Sequence, residues 1–472
     1  MKLSLKWVLL FIVCCRTTMA GAQTPQKLNG ADDRYKADVL IVVAHPDDEA
    51  FFTPYAVKAM NDMHKTVAVI FSTRGGSGAN RFTRERGPAM ANEREIEARE
   101  ACAKLGIQNV WFLDGKDSAS QNVLDSLSSW GHGANLEKLV GLIRLTRPDV
   151  ILTHHPGVFI GENHGDHQAT GVLVFEAFDL AGNPAIFPAQ LSGDETHYES
   201  YLSNLQPWQA KKIYVGSDAA DGKQFDGSGP TYSPREISPS LKKPYWRVAL
   251  DSAMSHKTQF PEDIERMSKM TEEQLERIMS DPNQGWWPDP STLIFAKSVV
   301  TGAPTDPVFS HIDDQPVNPA SQVVESCDST GQKVESPRIE LGGPWQYFSK
   351  FYPAHGLCHL KVAKIPEIGI LSGSTLIVPL VVRHEPSKPA HLSLSLKLPE
   401  GWKAKASELK FTLPPEAATA LAIHVETPAL SAEVRKQSVP QEIHVAAEVD
   451  GQPAGGIILR VALRAGGLPQ SL

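Results

Sequence analysis

Apolar runs and helical periods alternate along the first part of this chain. Val39-Leu40-Ile41-Val42-Val43 is unbroken apolar sequence, the pattern of a strand buried on both faces. A helical pattern over 49–64 follows it. The alternation continues with a strand over 66–73, a helix over 88–105, a strand over 110–114, a helix over 136–147, a strand over 149–154 and a helix over 166–180. Parallel neighbours need crossovers, so this order predicts an α/β fold: a mostly parallel, Rossmann-like sheet with helices on both faces. Ligands of such sheets collect beyond the C-terminal ends of the strands.

Residues 190–300 are less regular, with a strand over 212–215 and a charged helix over 261–280. Trp208, Trp246, Trp286 and Trp287 read as core or loop anchors sooner than as the lining of a groove. This stretch completes a first domain over 30–301. From 302 to 337 the sequence turns to Pro, Asp, Ser, Gln and Val without helical period, which marks a linker. Beyond it lie short alternating segments at 375–382, 391–398, 409–413, 418–425, 442–449 and 456–463. Turn signals such as Pro399-Glu400-Gly401 and Asp450-Gly451 separate them, predicting a small antiparallel β-sandwich as an accessory domain over 338–472.

A chain of 472 residues exceeds one ordinary core, in keeping with more than one domain. Its net charge of -8 gives a nucleic-acid partner no support. Lys2 and Lys6, an apolar run over 7–15 and then Ala20-Gly21-Ala22 have the form of a secretory signal peptide over 1–22. That run is too short for a comfortable membrane span, so the expected product is secreted or periplasmic with no stable span after processing. Cys14 and Cys15 leave with the leader, Cys102 falls in a helical pattern as a buried thiol, and Cys327 and Cys358 are placed to pair in an oxidising compartment.

Chemistry gathers at two strand ends. The first strand runs into Ala44-His45-Pro46-Asp47-Asp48-Glu49, one imidazole and three carboxylates together. A helix start explains one aspartate and leaves His45 and the second aspartate without a task. Imidazole with carboxylate suits zinc, and a spare carboxylate beside it can take a proton from a metal-activated water. The strand over 149–153 ends in His154-His155-Pro156 and leads to Asn163-His164-Gly165-Asp166-His167. If both strands share a sheet, the clusters meet at one edge.

His45, Asp48 and one histidine of the second cluster then make three protein ligands and leave a fourth position for water, the arrangement of a catalytic site. Spacing alone leaves open whether Asp47 or Asp48 is the ligand. His164 and His167 share a helical face, so one can bind metal while the other protonates a leaving group or polarises a carbonyl, with Asp166 orienting an imidazole. Gly75-Gly76-Ser77-Gly78 lacks the Gly-Lys-Ser/Thr of a phosphate loop and reads as a loop bordering the cleft, with Arg74, Arg81 and Arg84 available to an anionic or hydroxylated substrate.

The hexad at 44–49, Arg94 and Glu97 in a helix ending Leu105-Gly106, Arg147-Pro148-Asp149-Val150 and His164-Gly165-Asp166-His167 together resemble the PIG-L (LmbE-like) deacetylase family over 37–180. The resemblance implies a Rossmann-like fold and zinc-dependent removal of an N-acetyl group from an N-acetylglucosamine-type sugar. By position it implies that His45, Asp48 and His167 hold the metal, Asp47 is the general base and His164 assists at the transition state. Asp166 is then the support of a histidine, and Arg94 the helix arginine that reaches substrate. Ser255-His256-Lys257-Thr258-Gln259 resembles the family's later histidine motif, which implies that His256 faces the reacting carbonyl. The turn Leu398-Pro399-Glu400-Gly401-Trp402 resembles immunoglobulin-like modules attached to carbohydrate-active enzymes.

The expected partner is a saccharide or other small molecule, and the same ligands accept divalent ions other than zinc. Glu49 alone keeps the helix-start reading. Other readings of these residues are an amidase on a non-sugar amide and a non-catalytic carbohydrate-binding envelope protein; the intact His45, Asp47, Asp48 and His167 speak against the latter.

Overall fold

The computed structural model describes residues 31–78, 80–118, 120–160, 163–192, 200–217, 227–281, 285–317, 327, 336–360, 365–405, 409–430 and 438–464. The leader expected over 1–22 lies outside the described residues, as does most of the expected linker from 318 onward.

Strands β1 (Val39–Val43), β2 (Val67–Thr73), β3 (Val110–Gly115), β4 (Val150–His154) and β5 (Lys212–Gly216) pair in parallel in the order β3-β2-β1-β4-β5. The short strands β6 (Thr231–Tyr232) and β7 (Ser291–Thr292) pair with each other, and β8 (Ile294–Ser298) closes the large sheet antiparallel to β5. Val39 stands opposite Val67 on one side and Val150 on the other, so β1 is central. The chain winds outward from β1 through β2 and β3 in one direction and through β4 and β5 in the other. That reversal leaves a crevice beyond the C-terminal ends of β1 and β4, where both polar clusters emerge.

The continuous apolar run of β1 reflects two cores. Leu40 and Val42 face α3 (Val123–Trp130), α4 (His132–Thr146) and α5 (Gly165–Ala181). Val39, Ile41 and Val43 face α1 (Thr53–Asp62), α2 (Pro88–Leu105) and α7 (Tyr245–Ala253), a short α6 (Ala189–Ser192) preceding the last of these. Each of these side chains is buried, a gain of roughly 1.5–3 kcal/mol apiece relative to exposure.

Three elements differ from expectation. The helix expected over 49–64 is a 3-10 turn, Asp48–Phe51, followed by α1, because Asp47 adopts φ 113° and swings the chain across the sheet end. The helix expected to begin at 136 begins at His132, and the short α3 precedes it, started by the Asn122 side chain and ended at Gly131 with φ 67°. The charged helix over 261–280 is two helices, α8 (Pro261–Ser268) and α9 (Glu272–Ser280), since Thr271 and Gln274 form a reciprocal cap that starts the second.

After these come β9 (Arg338–Leu341), α10 (Gly343–His355), β10 (Glu367–Leu371), β11 (Thr375–Arg383), β12 (Ala390–Lys397), β13 (Lys403–Ala404), β14 (Lys410–Leu413), β15 (Ala418–Glu426), β16 (Gln441–Val449) and β17 (Gln452–Arg464). They form two sheets, β10-β17-β16-β12-β14 and β13-β15-β11-β9, around a shared core that includes Val378, Val425, Ile443 and Leu459. Pairing is antiparallel as expected except at β10, which runs parallel to β17 with Leu371 opposite Arg464. The aromatic face of α10, Phe348, Phe351 and Tyr352, is buried in the α/β core beside α5, not in the core of the two sheets. A disulfide joins Cys327 to Cys358 just beyond α10, and Cys102 is a free, buried thiol. Trp246 and Trp287 are core residues, and the Trp208 indole donates to the Pro148 carbonyl. Among the described residues no helix is long and apolar enough to cross a membrane.

Candidate metal centre

β1 is followed by Ala44, whose carbonyl accepts the Thr73 amide at 2.9 Å and thereby joins the ends of β1 and β2. The chain then turns at Asp47, a non-glycine residue with positive φ, a conformation that costs roughly 1–3 kcal/mol and persists only when its surroundings dictate it. Those surroundings are explicit. The Asp47 amide donates to Glu49 Oε2 at 2.9 Å, and Asp47 Oδ1 lies 3.0 Å from Arg94 Nη2. The same guanidinium donates to the carbonyls of Pro46 and Gly75. A Cβ at Gly75 would collide with it, so glycine is required there.

The turn aims Asp48 inward. Its Oδ2 lies 3.2 Å from His45 Nδ1, 3.2 Å from His154 Nε2 and 3.2 Å from His167 Nε2. Three imidazoles from β1, β4 and α5 therefore converge on one carboxylate oxygen. The rings of His154 and His167 stack with centroids 4.0 Å apart, and His164 lies 4.1 Å from His167 and 5.0 Å from His45, centroid to centroid. α5 approaches this closely because Gly165 meets the 120–126 segment; a Cβ there would lie 2.8 Å from the Ser120 carbonyl oxygen.

The donor set fits a divalent ion. Atoms bound tetrahedrally at roughly 2.0–2.2 Å from one ion stand about 3.3–3.6 Å apart, close to the separations around Asp48 Oδ2. Asp48, His154 and His167 form one group of donor atoms within 4.8 Å of one another, and His45, His164 and His167 form another. Among the described residues, Nδ1 of His154, His164 and His167 is buried without a hydrogen-bond partner, which leaves these donor atoms uncommitted there.

Behind His45 stand two carboxylates. Its Nε2 lies 3.2 Å from Asp117 Oδ1 and 3.4 Å from Asp166 Oδ2, an arrangement that fixes the ring and leaves Nδ1 toward Asp48. Asp117 Oδ2 in turn accepts the Ser77 amide at 2.7 Å, so the glycine-rich loop is wired to the site.

Burial and charge set the protonation states. Burial, with a contribution from Asp48, pushes Asp47 up to about 6 although Arg94 pulls the other way. Burial also opposes charge on Asp48, but His167 and His154 more than offset it, and that carboxyl lies well below the usual range. Burial and the neighbouring His167 push His154 down to about 4, and the same causes hold His164 well below an ordinary imidazole. His154 and His164 are thus held neutral beside an ionised Asp48, the states a metal needs. At His45, by contrast, burial is outweighed by Asp117, Asp166 and Asp48, which raise its pKa well above an ordinary imidazole. Of the cluster, Asp47, His164 and Asp117 keep partial exposure, which marks the side open to a substrate.

The structure thus brings His45, Asp47, Asp48, His164, Asp166 and His167 to one place. Arg94, expected to reach substrate, is 4 % exposed and directed at Asp47, Pro46 and Gly75 instead. His256, expected to face the reacting carbonyl, is fully buried with Nε2 2.6 Å from Glu49 Oε1. Glu49 is accordingly no mere helix start: its two oxygens accept from Asp47 and pair with His256. Sequence reasoning left His154 out of the ligand set and overlooked Asp117, although each stands at or just beyond a strand end, the same signal that singled out His45.

Residues 40–178 match the family model described as "PIG-L: GlcNAc-PI de-N-acetylase". The chain is 24% identical over 255 residues to the 1D-myo-inositol 2-acetamido-2-deoxy-alpha-D-glucopyranoside deacetylase of Thermobifida fusca, spanning 47% of this chain and 82% of that one. It is 24% identical over 229 residues to the diacetylchitobiose deacetylase of Thermococcus kodakarensis, spanning 48% of this chain and 71% of that one. Among solved structures, an N,N'-diacetylchitobiose deacetylase from Pyrococcus horikoshii aligns with TM-score 0.34 and 20% identity over 52% of this chain and 78% of that one. The chain thus carries a PIG-L domain over residues 40–178.

Proposed function

We propose that the protein is an exported, metal-dependent hydrolase that removes the N-acetyl group from an N-acetylglucosamine-containing saccharide, giving acetate and a free amine. The observation that carries this reading is the convergence of His45, His154 and His167 on Asp48 Oδ2, with the partly exposed Asp47 carboxylate next in sequence. The curated relatives, by name, remove acetyl groups from acetylated amino sugars, which supports the substrate class.

His45, Asp48 and His167 would hold the ion, with His154 as a further donor. A divalent ion held there, zinc on the chemistry of this donor set, would supply Lewis acidity toward a water and the acetamide carbonyl. Asp47 takes a proton from the attacking water as the water oxygen forms a bond to the acetamide carbonyl carbon. Arg94 keeps the Asp47 carboxylate in place for that transfer. His164, at the open side of the cluster and beside His45 and His167, stabilises the developing oxyanion. The C–N bond breaks as the amine nitrogen takes up the proton held on Asp47, and Asp166 with Asp117 keeps His45 oriented throughout.

Export rests on the leader-like N-terminus and agrees with the Cys327–Cys358 disulfide, a bond of oxidising compartments. We divide the chain as a leader over 1–22, a catalytic domain over 30–301, a linker over 302–337 and an accessory domain over 338–472, the last lending α10 to the catalytic core. The two sheets of the last are taken as an immunoglobulin-like sandwich. Acetate release by metal-replete protein, measured across acetylated chito-oligosaccharides, N-acetylglucosamine conjugates and simple acetamides, tests the activity. Release from the sugars is expected; release from simple amides alone would overturn the substrate class.

A further inference from the structure

Asp47 is approached from two directions, and only one is obvious. Arg94 on α2 grips its carboxylate. Its backbone is gripped separately: the amide donates to Glu49 Oε2 at 2.9 Å, and the other oxygen of that carboxylate pairs with His256 Nε2 at 2.6 Å. Glu49 is 1 % exposed and His256 fully buried, and neither appears among the groups of donor atoms that converge on the metal position in the described residues. A buried carboxylate needs partners for both oxygens, and among the described residues these are its two.

We infer that Glu49 and His256 form a buried clamp that holds Asp47 in its positive-φ conformation, making both positioning residues for the base; this rests on the assignment of Asp47 as that base. A carboxylate two residues downstream that captures the Asp47 amide selects the backbone conformer in which that amide points at it. His256 prevents the carboxylate from rotating away. The clamp is itself anchored: the turn after α7 that carries His256 is fixed by Thr258, whose amide and hydroxyl donate to Glu97 at 2.8 and 2.6 Å. Glu97 lies one turn beyond Arg94 on α2, so one helix sets both grips. Ser252 adds a bond from α7 to the Ala101 carbonyl of the same helix at 2.9 Å. A segment 207 residues downstream of Glu49 thereby reaches the base without touching the reacting atoms.

The test compares Glu49→Ala and His256→Ala with the conservative Glu49→Gln and His256→Gln in the full chain. Zinc content, kcat and KM on an N-acetylglucosamine oligomer, and the crystallographic φ of Asp47 are measured. The alanine variants are expected to keep about one zinc per chain, lose about 100-fold or more in kcat with KM changed less than about threefold, and move Asp47 to negative φ. The glutamine variants, which still bond at both positions, are expected to retain positive φ and most of kcat. Alanine variants with wild-type kcat and positive φ overturn the clamp, as does loss of zinc along with kcat. If Glu49→Ala does not fold, His256→Ala, which removes only the outer member, carries the comparison. Should wild-type protein release no acetate from sugars, the substrate assignment fails, yet the φ of Asp47 across the variants still decides the clamp.

Discussion

Ser118 donates twice to Asp166, through its amide to Oδ2 at 2.8 Å and through its hydroxyl to Oδ1 at 3.0 Å. Both oxygens of a fully buried carboxylate are thus directed by one residue on the loop after β3. Since Asp166 Oδ2 lies 3.4 Å from His45 Nε2, the serine would act on an ion at the site through two intermediaries. Ser118→Ala is expected to weaken zinc affinity by about 10-fold, at the low end for loss of an outer partner, with folding intact. Competition against a chromophoric chelator measures it; unchanged affinity would show that the backbone bond alone suffices.

His154 stands the same 3.2 Å from Asp48 Oδ2 as His167 does. Its replacement by alanine is expected to reduce zinc retained after dialysis and to raise the zinc concentration needed for activity at least about 10-fold. Chelator-treated wild type is expected to lose activity, regain it with zinc, and melt at lower temperature than the loaded form, because an ion held only by the folded state stabilises it.

Asp47→Asn keeps the size of the side chain and an oxygen for Arg94 but cannot take a proton. Zinc content and KM are expected to stay near wild type while kcat falls by about 10²–10⁴. Undiminished kcat would remove Asp47 from the proton transfer.

Far from the site, His132 Nε2 at the start of α4 lies 2.5 Å from Glu176 Oε2 on α5. The hydrogen bond to Glu176 raises the histidine's pKa, against partial burial. A raised folded value means that the pair stabilises the protein fully below the unfolded value of about 6.5 and less as pH rises through the folded one. Glu176→Gln is therefore expected to lower Tm more at pH 5.5 than at pH 8.5, by no more than about 2 °C given the solvent exposure of the pair. Equal shifts at both pH values would remove the ionic contribution.

The sheet was legible because strands covered on both faces are written as unbroken apolar runs, as in 39–43 and 150–152. The two halves of the centre were legible because His45 and Asp48 in one, and His164 and His167 in the other, follow such runs. Asp117 was passed over because the strand expected over 110–114 carries no histidine at its end, and His154, though named at the end of its strand, because the resemblance gave the ligand place to His167. Glu49 was misjudged because a carboxylate after a strand looks like a solvated helix cap until its buried partner is known, and that partner lies 207 residues away. No periodicity encodes such a pairing. The parallel match of β10 with β17 was hidden for a related reason: alternation reports which face is buried, not the direction of the neighbour.

The placement of α10 bears on how this protein can be cut. Its aromatic face fills the first core beside Phe175, while its downstream neighbours hold the loop that leads to His164: the Leu360 carbonyl faces His155 Nε2 at 2.8 Å and Glu367 accepts the Ile160 amide at 2.9 Å. A fragment ending at the expected linker would bare an aromatic socket on α5 and release the strap over the histidine loop. The unit able to stand alone therefore extends past the linker, and the C-terminal sheets are joined to the catalytic half as a buttress is to a wall.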